Sequence, residues 1–179
     1  MRMKVSDEAL ARAAAGGDAE AFSSLIARHY DRVFGLAFRL TGRREEAEDL
    51  TQDICVSLPT KIAAFRGDAK FSTWLYRVVV NASHDRRRRA ATHAKAADGW
   101  GEVELARRAE AEEARAALDW LQCAMTGLPA DLRVTLALTL EDGVTHAAAA
   151  DVLGVSEGTV SWRMSEIKKR LKALKDDER

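Results

Sequence analysis

From Phe22 to Leu40 the apolar residues Phe22, Leu25, Ile26, Tyr30, Val33, Phe34, Ala37 and Leu40 recur with helical spacing. A strand turns successive side chains to opposite faces, so no strand gathers this set on one side, whereas a helix places it on one stripe. Asp18 stands where an N-cap belongs, and the pattern continues to Gly42. The same period returns in Ala47, Leu50, Ile54 and Leu58, in Phe71, Leu75, Val78, Val79 and Ala82, and in Leu118, Leu121 and Met125. Alternating β-branched runs closed by Gly-Asn turns are absent, so the chain is expected to be all-α. Ser6 before "DEAL" starts a shorter helix that Gly16-Gly17 ends. Pro59 is expected to kink or end the helix that begins near Arg43.

These segments divide into two small helical domains, residues 5–90 and 112–175. Residues 91–111 lack a sustained period at their start, contain two glycines and form the expected linker. The formal net charge is zero, which excludes a simple polycation. The charges are nevertheless segregated: residues 1–97 carry 17 Lys and Arg against 12 Asp and Glu, and residues 98–116 carry 3 against 6. A basic front half beside an acidic middle permits a nucleic-acid face next to protein-binding faces. Cys55 and Cys123, the only cysteines, stand far apart and form no disulfide framework, which points to a reducing cytoplasm. No apolar run approaches the ~20 residues that span a bilayer, and "MRMKVSDEAL" lacks the apolar core of a signal peptide. A soluble chain without membrane insertion is expected. His29, His84, His93 and His146 show no zinc-like spacing, and no phosphate-cradling glycine motif is present. No metal, cofactor or catalytic residue is therefore expected.

The segment "GVSEGTVSWRMSEIKKRL", Gly154 to Leu171, carries the sharpest signal. Thr145 can cap a short Ala-rich helix over residues 146–153, and Gly154 provides the turn. Ser156 caps the next helix, and Val155 and Val160 are spaced as a hydrophobic staple. Val160, Met164, Ile167, Leu171 and Leu174 line one face of that helix, while Thr159, Ser161, Trp162, Arg163, Lys168, Lys169 and Arg170 occupy the other. Two helices joined by a short Gly turn form a helix-turn-helix, whose second helix enters the major groove. Hydroxyls near the helix start reach base edges or phosphates, Arg163 pairs with a guanine edge, and the later cations follow the backbone. A capped surface helix with solvated charges is the plainer alternative.

Two longer stretches extend this reading. "AEDLTQDICVSLPTKIAAFRGDAKFSTWLYRVVVNASHDRRRR", Ala47 to Arg89, resembles the second conserved region of bacterial sigma factors of the extracytoplasmic-function group. "LPADLRVTLAL", followed by "GVTHAAAADVLGVSEGTVSWR", resembles their fourth region. The resemblance implies a subunit that binds core RNA polymerase and directs it to promoter DNA. Asp49, Gln52 and Asp53 would then dock on the clamp helices of the largest polymerase subunit, with the flap as a further contact. Phe65, Arg66, Asp68 and Lys70, together with Asn81, would form the pocket for a base of the −10 element, and Arg77, Arg86 and Arg87 would contact phosphates. A flipped base needs an apolar wall and an amide to read its edge. A Phe before a turn also serves as a core plug, and a basic helix end also suits the dipole; both alternatives stand at this level. Ser156, Thr159, Ser161, Arg163 and Lys168 would read the −35 element. The family often has Glu and Ile where this chain has "HAAAA", a small residue at Trp162 and Arg at Glu166, so its −35 preference is expected to differ. The resemblance also implies an anti-sigma partner that sequesters both domains. A free-standing dimeric regulator would need a dimerisation or ligand domain ahead of residue 112, and a recombinase would need a nucleophile among arginines, for which Tyr76-Arg77 is the superficial candidate.

Overall fold

The computed structural model describes residues 5–94 and 112–177, so most of the expected linker, residues 95–111, lies outside the described residues. The fold is all-α. Its elements in chain order are α1 (Asp7–Ala15), α2 (Ala19–Thr41), α3 (Arg44–Ile62), α4 (Phe71–Ala94), α5 (Glu112–Gly127), α6 (Ala130–Thr139), α7 (His146–Leu153) and α8 (Glu157–Asp177).

Helix α2 begins where one carboxylate satisfies two otherwise unpaired amides: Asp18 Oδ1 accepts from the N–H groups of Glu20 and Ala21, each at 2.9 Å. It ends at Gly42 with φ 79°, a left-handed residue whose N–H bonds Phe38 O. Its stripe Ala21, Leu25, His29, Val33, Leu36, Ala37 and Leu40 is buried against α1, α3 and α4. Tyr30, counted with the apolar set, faces solvent instead, one position off the stripe. Helix α3 buries Ala47, Leu50, Thr51, Ile54, Leu58 and Ile62. Pro59 does not end this helix, because α3 runs beyond it to Ile62. A proline removes one i→i−4 bond and crowds one carbonyl, and here burial of Leu58 and Ile62 on either side outweighs that loss.

Helix α4 has two buried stripes. Phe71, Leu75 and Val79 pack into the first bundle, and Tyr76, Val80 and Ser83 are buried on an adjacent face, where Tyr76 meets Glu141 of the C-terminal half. Its N-terminal Phe71 N–H donates to Glu8 Oε1 of α1 at 3.3 Å. In the C-terminal half, α6 is buried almost all round through Leu132, Val134, Thr135, Leu136, Ala137 and Leu138. That pattern follows from its place between α2 and α8. Buried residues from Ala11 to Ile167 form one continuous cluster, so among the described residues the two halves share a core.

Asp7 stitches α1 to α2. Its Oδ1 accepts from Arg28 Nη1 and its Oδ2 bonds His29 Nε2, both at 2.8 Å. Burial raises the Asp7 carboxyl, but the hydrogen bonds and charges of Arg28 and His29 outweigh it and hold the group below its ordinary value. The stability from this pair is therefore present above the unfolded value of about 3.9 and is lost as pH falls through the depressed folded value. Asp7→Asn should lower the urea midpoint at pH 7, with the difference from wild type shrinking as pH falls through the depressed folded value of Asp7. A pH series of urea melts checks this. Phe71→Ala should cost about 3–5 kcal/mol, because Phe71 is fully buried. Val56→Ala, at an exposed position, should fall within about 0.5 kcal/mol of wild type.

Candidate nucleic-acid and polymerase interfaces

The helix-turn-helix is assembled by local chemistry. Thr145 Oγ1 accepts from Ala148 N–H at 3.1 Å and starts α7. Gly154 ends it with φ 65° and ψ 34°, a conformation that costs a residue with a Cβ and costs glycine nothing extra. Val155 N–H then returns to Ala150 O. Ser156 Oγ accepts from Thr159 N–H at 3.1 Å and lies 2.8 Å from Thr159 Oγ1, so the first turn of α8 presents a linked pair of hydroxyls. Val160 and Ile167 are buried beneath, with Met164 and Leu171 partly so. Leu174, placed on that same face by its spacing, is 42% exposed.

The outer face of α8 differs in detail from a simple basic reader. Ser161 is exposed and its Oγ lies 3.1 Å from His146 Nδ1. Trp162 is 63% exposed. Arg163 turns back onto α6: its Nη1 donates to Thr135 Oγ1 at 3.3 Å and its Nε lies 3.5 Å from Asp131 Oδ2. Lys168 is exposed and has no ion pair among the described residues. Glu166 accepts from Arg170 Nε at 2.8 Å, the i,i+4 geometry that pairs charges along a helix. One acid therefore both replaces a cation and partly neutralises a second one.

In the first half, the loop between α3 and α4 turns at Gly67, φ 81°, and leaves Arg66, Asp68 and Lys70 exposed. Phe65 is 7% exposed and sits edge-on to Phe71 and Trp74, each with ring centroids 5.6 Å apart. The edge-to-face packing holds the loop against the bundle. Asn81 is exposed on α4. Arg86, expected at phosphates, reaches across to α3 and pairs with Asp49 Oδ2 at 2.8 Å and Asp53 Oδ2 at 3.3 Å. Two surfaces that looked separate in the sequence, one basic and one acidic, are thereby bound to each other. Gln52 remains exposed between those acids, and Arg87 is exposed one position beyond Arg86.

The contacts between the halves escaped the sequence reading. Tyr76 Oη donates to Glu141 Oε2 at 3.2 Å, and Arg39 forms an ion pair with the other oxygen of Glu141. Glu141 is 7% and Tyr76 2% exposed. Burial raises the Tyr76 hydroxyl against the opposing charges of Arg32 and Arg39, and burial lowers the Arg39 guanidinium. Arg77 donates to the backbone carbonyl of Asp151 on α7 at 2.9 Å and pairs with its carboxylate at 3.0 Å. Gln122 Nε2 donates to Phe38 O at 3.3 Å. A second stripe at Tyr76, Val80 and Ser83, offset by one from Leu75 and Val79, was the available signal. Its spacing of four and three marks a second packing face. Among the described residues, no cluster of His, Cys, Asp and Glu could hold a metal ion, and no helix is long and apolar enough to cross a membrane.

Residues 25–92 match the Sigma-70 region 2 family and residues 118–171 match the Sigma-70 region 4 family. The ECF RNA polymerase sigma factor SigM of Mycobacterium tuberculosis is 38% identical over 174 residues, covering 97% of this chain and 86% of that protein. The RNA polymerase sigma factor CnrH of Cupriavidus metallidurans is 30% identical over 186 residues, covering 98% of this chain and 97% of that one. The solved structure of CnrH in complex with the cytosolic domain of CnrY superposes with a TM-score of 0.72 at 29% identity, covering 97% of this chain and 99% of that chain. With both regions in order along an all-α chain, and with relatives matched over nearly the full length of both partners, this chain belongs to the extracytoplasmic-function group of RNA polymerase sigma factors.

Proposed function

We propose that this chain is a promoter-specificity subunit that binds core RNA polymerase and directs it to promoters, region 2 reading the −10 element and region 4 the −35 element. The observation that carries the reading is the presence of both regions, in order, in one chain with a helix-turn-helix at its end. Residues 5–90 and 112–175 serve as the two working domains, joined through 91–111. The protein works beside polymerase in the cytoplasm and has no catalytic chemistry of its own.

Within region 2, Asp49, Gln52 and Asp53 meet the polymerase clamp helices. Carboxylates on a helix rim steer association with a basic partner, and docking there frees Arg86 from its two acids for a phosphate. Asn81 reads the edge of an unstacked base. Phe65 forms the inner wall of that pocket, where aromatic stacking is worth about 1–3 kcal/mol per base, and Arg66, Asp68 and Lys70 form its rim. Arg77 and Arg87 hold phosphates. Within region 4, Ser156, Thr159, Ser161, Arg163 and Lys168 face the −35 element. Arg163 must leave Asp131 and Thr135 to reach a base, a short rotation for a long side chain. The flap of polymerase holds region 4 in place.

The packing of the halves gives this function a resting state. Arg77 is tied to Asp151 of the helix-turn-helix, so the phosphate-binding face of region 2 is partly covered by region 4. Promoter binding then requires the halves to separate on polymerase, and free protein binds promoters weakly. The relative CnrH is known in complex with the cytosolic domain of CnrY, which supports an anti-sigma partner that holds this chain closed.

A gel shift should show no specific promoter complex with the chain alone and a clear one with core polymerase added. Tight palindromic binding by the free chain would instead favour a dimeric regulator. Asn81→Ala and Arg163→Gln should each lower run-off transcription about 10-fold while leaving polymerase binding intact, measured by co-elution. Glu141→Ala should loosen the halves, seen as a larger radius of gyration in small-angle scattering. An unchanged radius with an intact fold would reject the resting-state reading.

A further inference from the structure

We propose that the cleft between α4 and α6 is a binding site for a small anion of the diphosphate class, which bridges the two halves of the chain. The cleft has a volume of about 360 Å³ and brings Arg86 and Arg87 of α4 together with Arg133 of α6, beside Ser83, Thr41 and Glu46. Its charges are unbalanced. Arg86 is committed to Asp49 and Asp53, and Glu46, the carboxylate in the lining, is committed to Arg43 at 3.2 Å. Among the described residues neither Arg87 nor Arg133 has a carboxylate partner.

Arg133 is held in a fixed pose. Its Nη2 donates to the carbonyls of Thr126 and Leu128 at the end of α5. That leaves Nη1 available, and Nε is buried without any hydrogen-bond partner. A buried unpaired donor on a charged group is costly and calls for an acceptor. Burial and then the charge of Arg87 push the Arg133 guanidinium below its ordinary value, so the two cations already act on each other across the cleft. Ser83 is 4% exposed, and its hydroxyl adds a further donor with no side-chain hydrogen bond of its own.

Guanidinium forks match phosphoryl oxygens two at a time, which an ammonium or a lone amide does not. Two forks on opposite walls suit two linked phosphoryl groups better than one, and the volume exceeds that of a single phosphate. Because the walls belong to different halves, the anion binds only when they are closed, and it shifts the population toward that form. The site does not depend on the promoter reading, since it is measured on the isolated chain.

The test is calorimetric titration of the full chain with pyrophosphate, with ADP and with sulfate, at matched ionic strength. Saturable pyrophosphate binding is expected, with a rise in melting temperature, and sulfate should bind at least about 10-fold more weakly. Arg87→Gln and Arg133→Gln should each weaken pyrophosphate at least about 10-fold. Arg44→Gln should leave it unchanged, because Arg44 is exposed, pairs with Glu48 and lies outside the cleft. If Arg133→Gln fails to fold by circular dichroism, Arg87→Gln decides alone, since Arg87 is on the surface. Equal binding of ADP and pyrophosphate supports recognition of the diphosphate by itself, and tighter ADP binding supports a nucleotide as its source. Absence of saturable binding, sulfate binding as tight as pyrophosphate, or an equal loss in Arg44→Gln overturns the proposal.

Discussion

Glu141 is an acid held almost out of water between two helical halves, with one cation and one phenol as its company. A buried charge that loses its partner is strongly destabilising, whereas a paired one contributes little net stability and much geometric definition. Arg39 comes from α2 and Tyr76 from α4, so the carboxylate fixes the position of the C-terminal half against two helices of the N-terminal half at once. The contacts around it, Arg77 with Asp151 and Gln122 with Phe38, fall into place on either side. An apolar interface of the same size would hold as firmly, but it would tolerate sliding and would respond less to a partner that brings its own charges.

That choice suits the proposed mechanism, in which the halves separate on polymerase. The interface combines the buried group of Tyr76, Glu141 and Arg39 with the exposed pair of Arg77 and Asp151. The exposed pairs are individually weak, on the order of 0–1 kcal/mol, so they can be exchanged for contacts with DNA or polymerase without a large barrier. The Arg86 pairing with Asp49 and Asp53 follows the same logic within one half. In the proposed mechanism, an acidic face meant for polymerase and a basic group meant for DNA shield each other until their partners arrive.

Much of the candidate site was legible from residue spacing. Thr145, Gly154 and Ser156 announce the helix-turn-helix because caps and left-handed glycines act over three or four residues and depend on little else. Asp18 and Gly42 mark the ends of α2 in the same way. The orientation of Arg163 was not legible, because it is decided by Thr135 and Asp131 on another helix. That Pro59 does not end α3 has a related reason: its local penalty is real, but tertiary burial of Leu58 and Ile62 overrides it. The role of Tyr76 was not legible, since its hydroxyl partner stands 65 positions away.

The amino-acid sequence alone determined the helical class and the capped helix ends at Asp18, Gly42, Thr145, Gly154 and Ser156. Those features arise from backbone hydrogen bonds and side-chain periodicity over a few residues. The tertiary structure alone decided which exposed charges neutralise one another, which second stripe of α4 is covered, and that Arg77 meets Asp151 across 74 positions. Such pairings depend on how whole helices pack in space, and spacing along the chain carries no record of that.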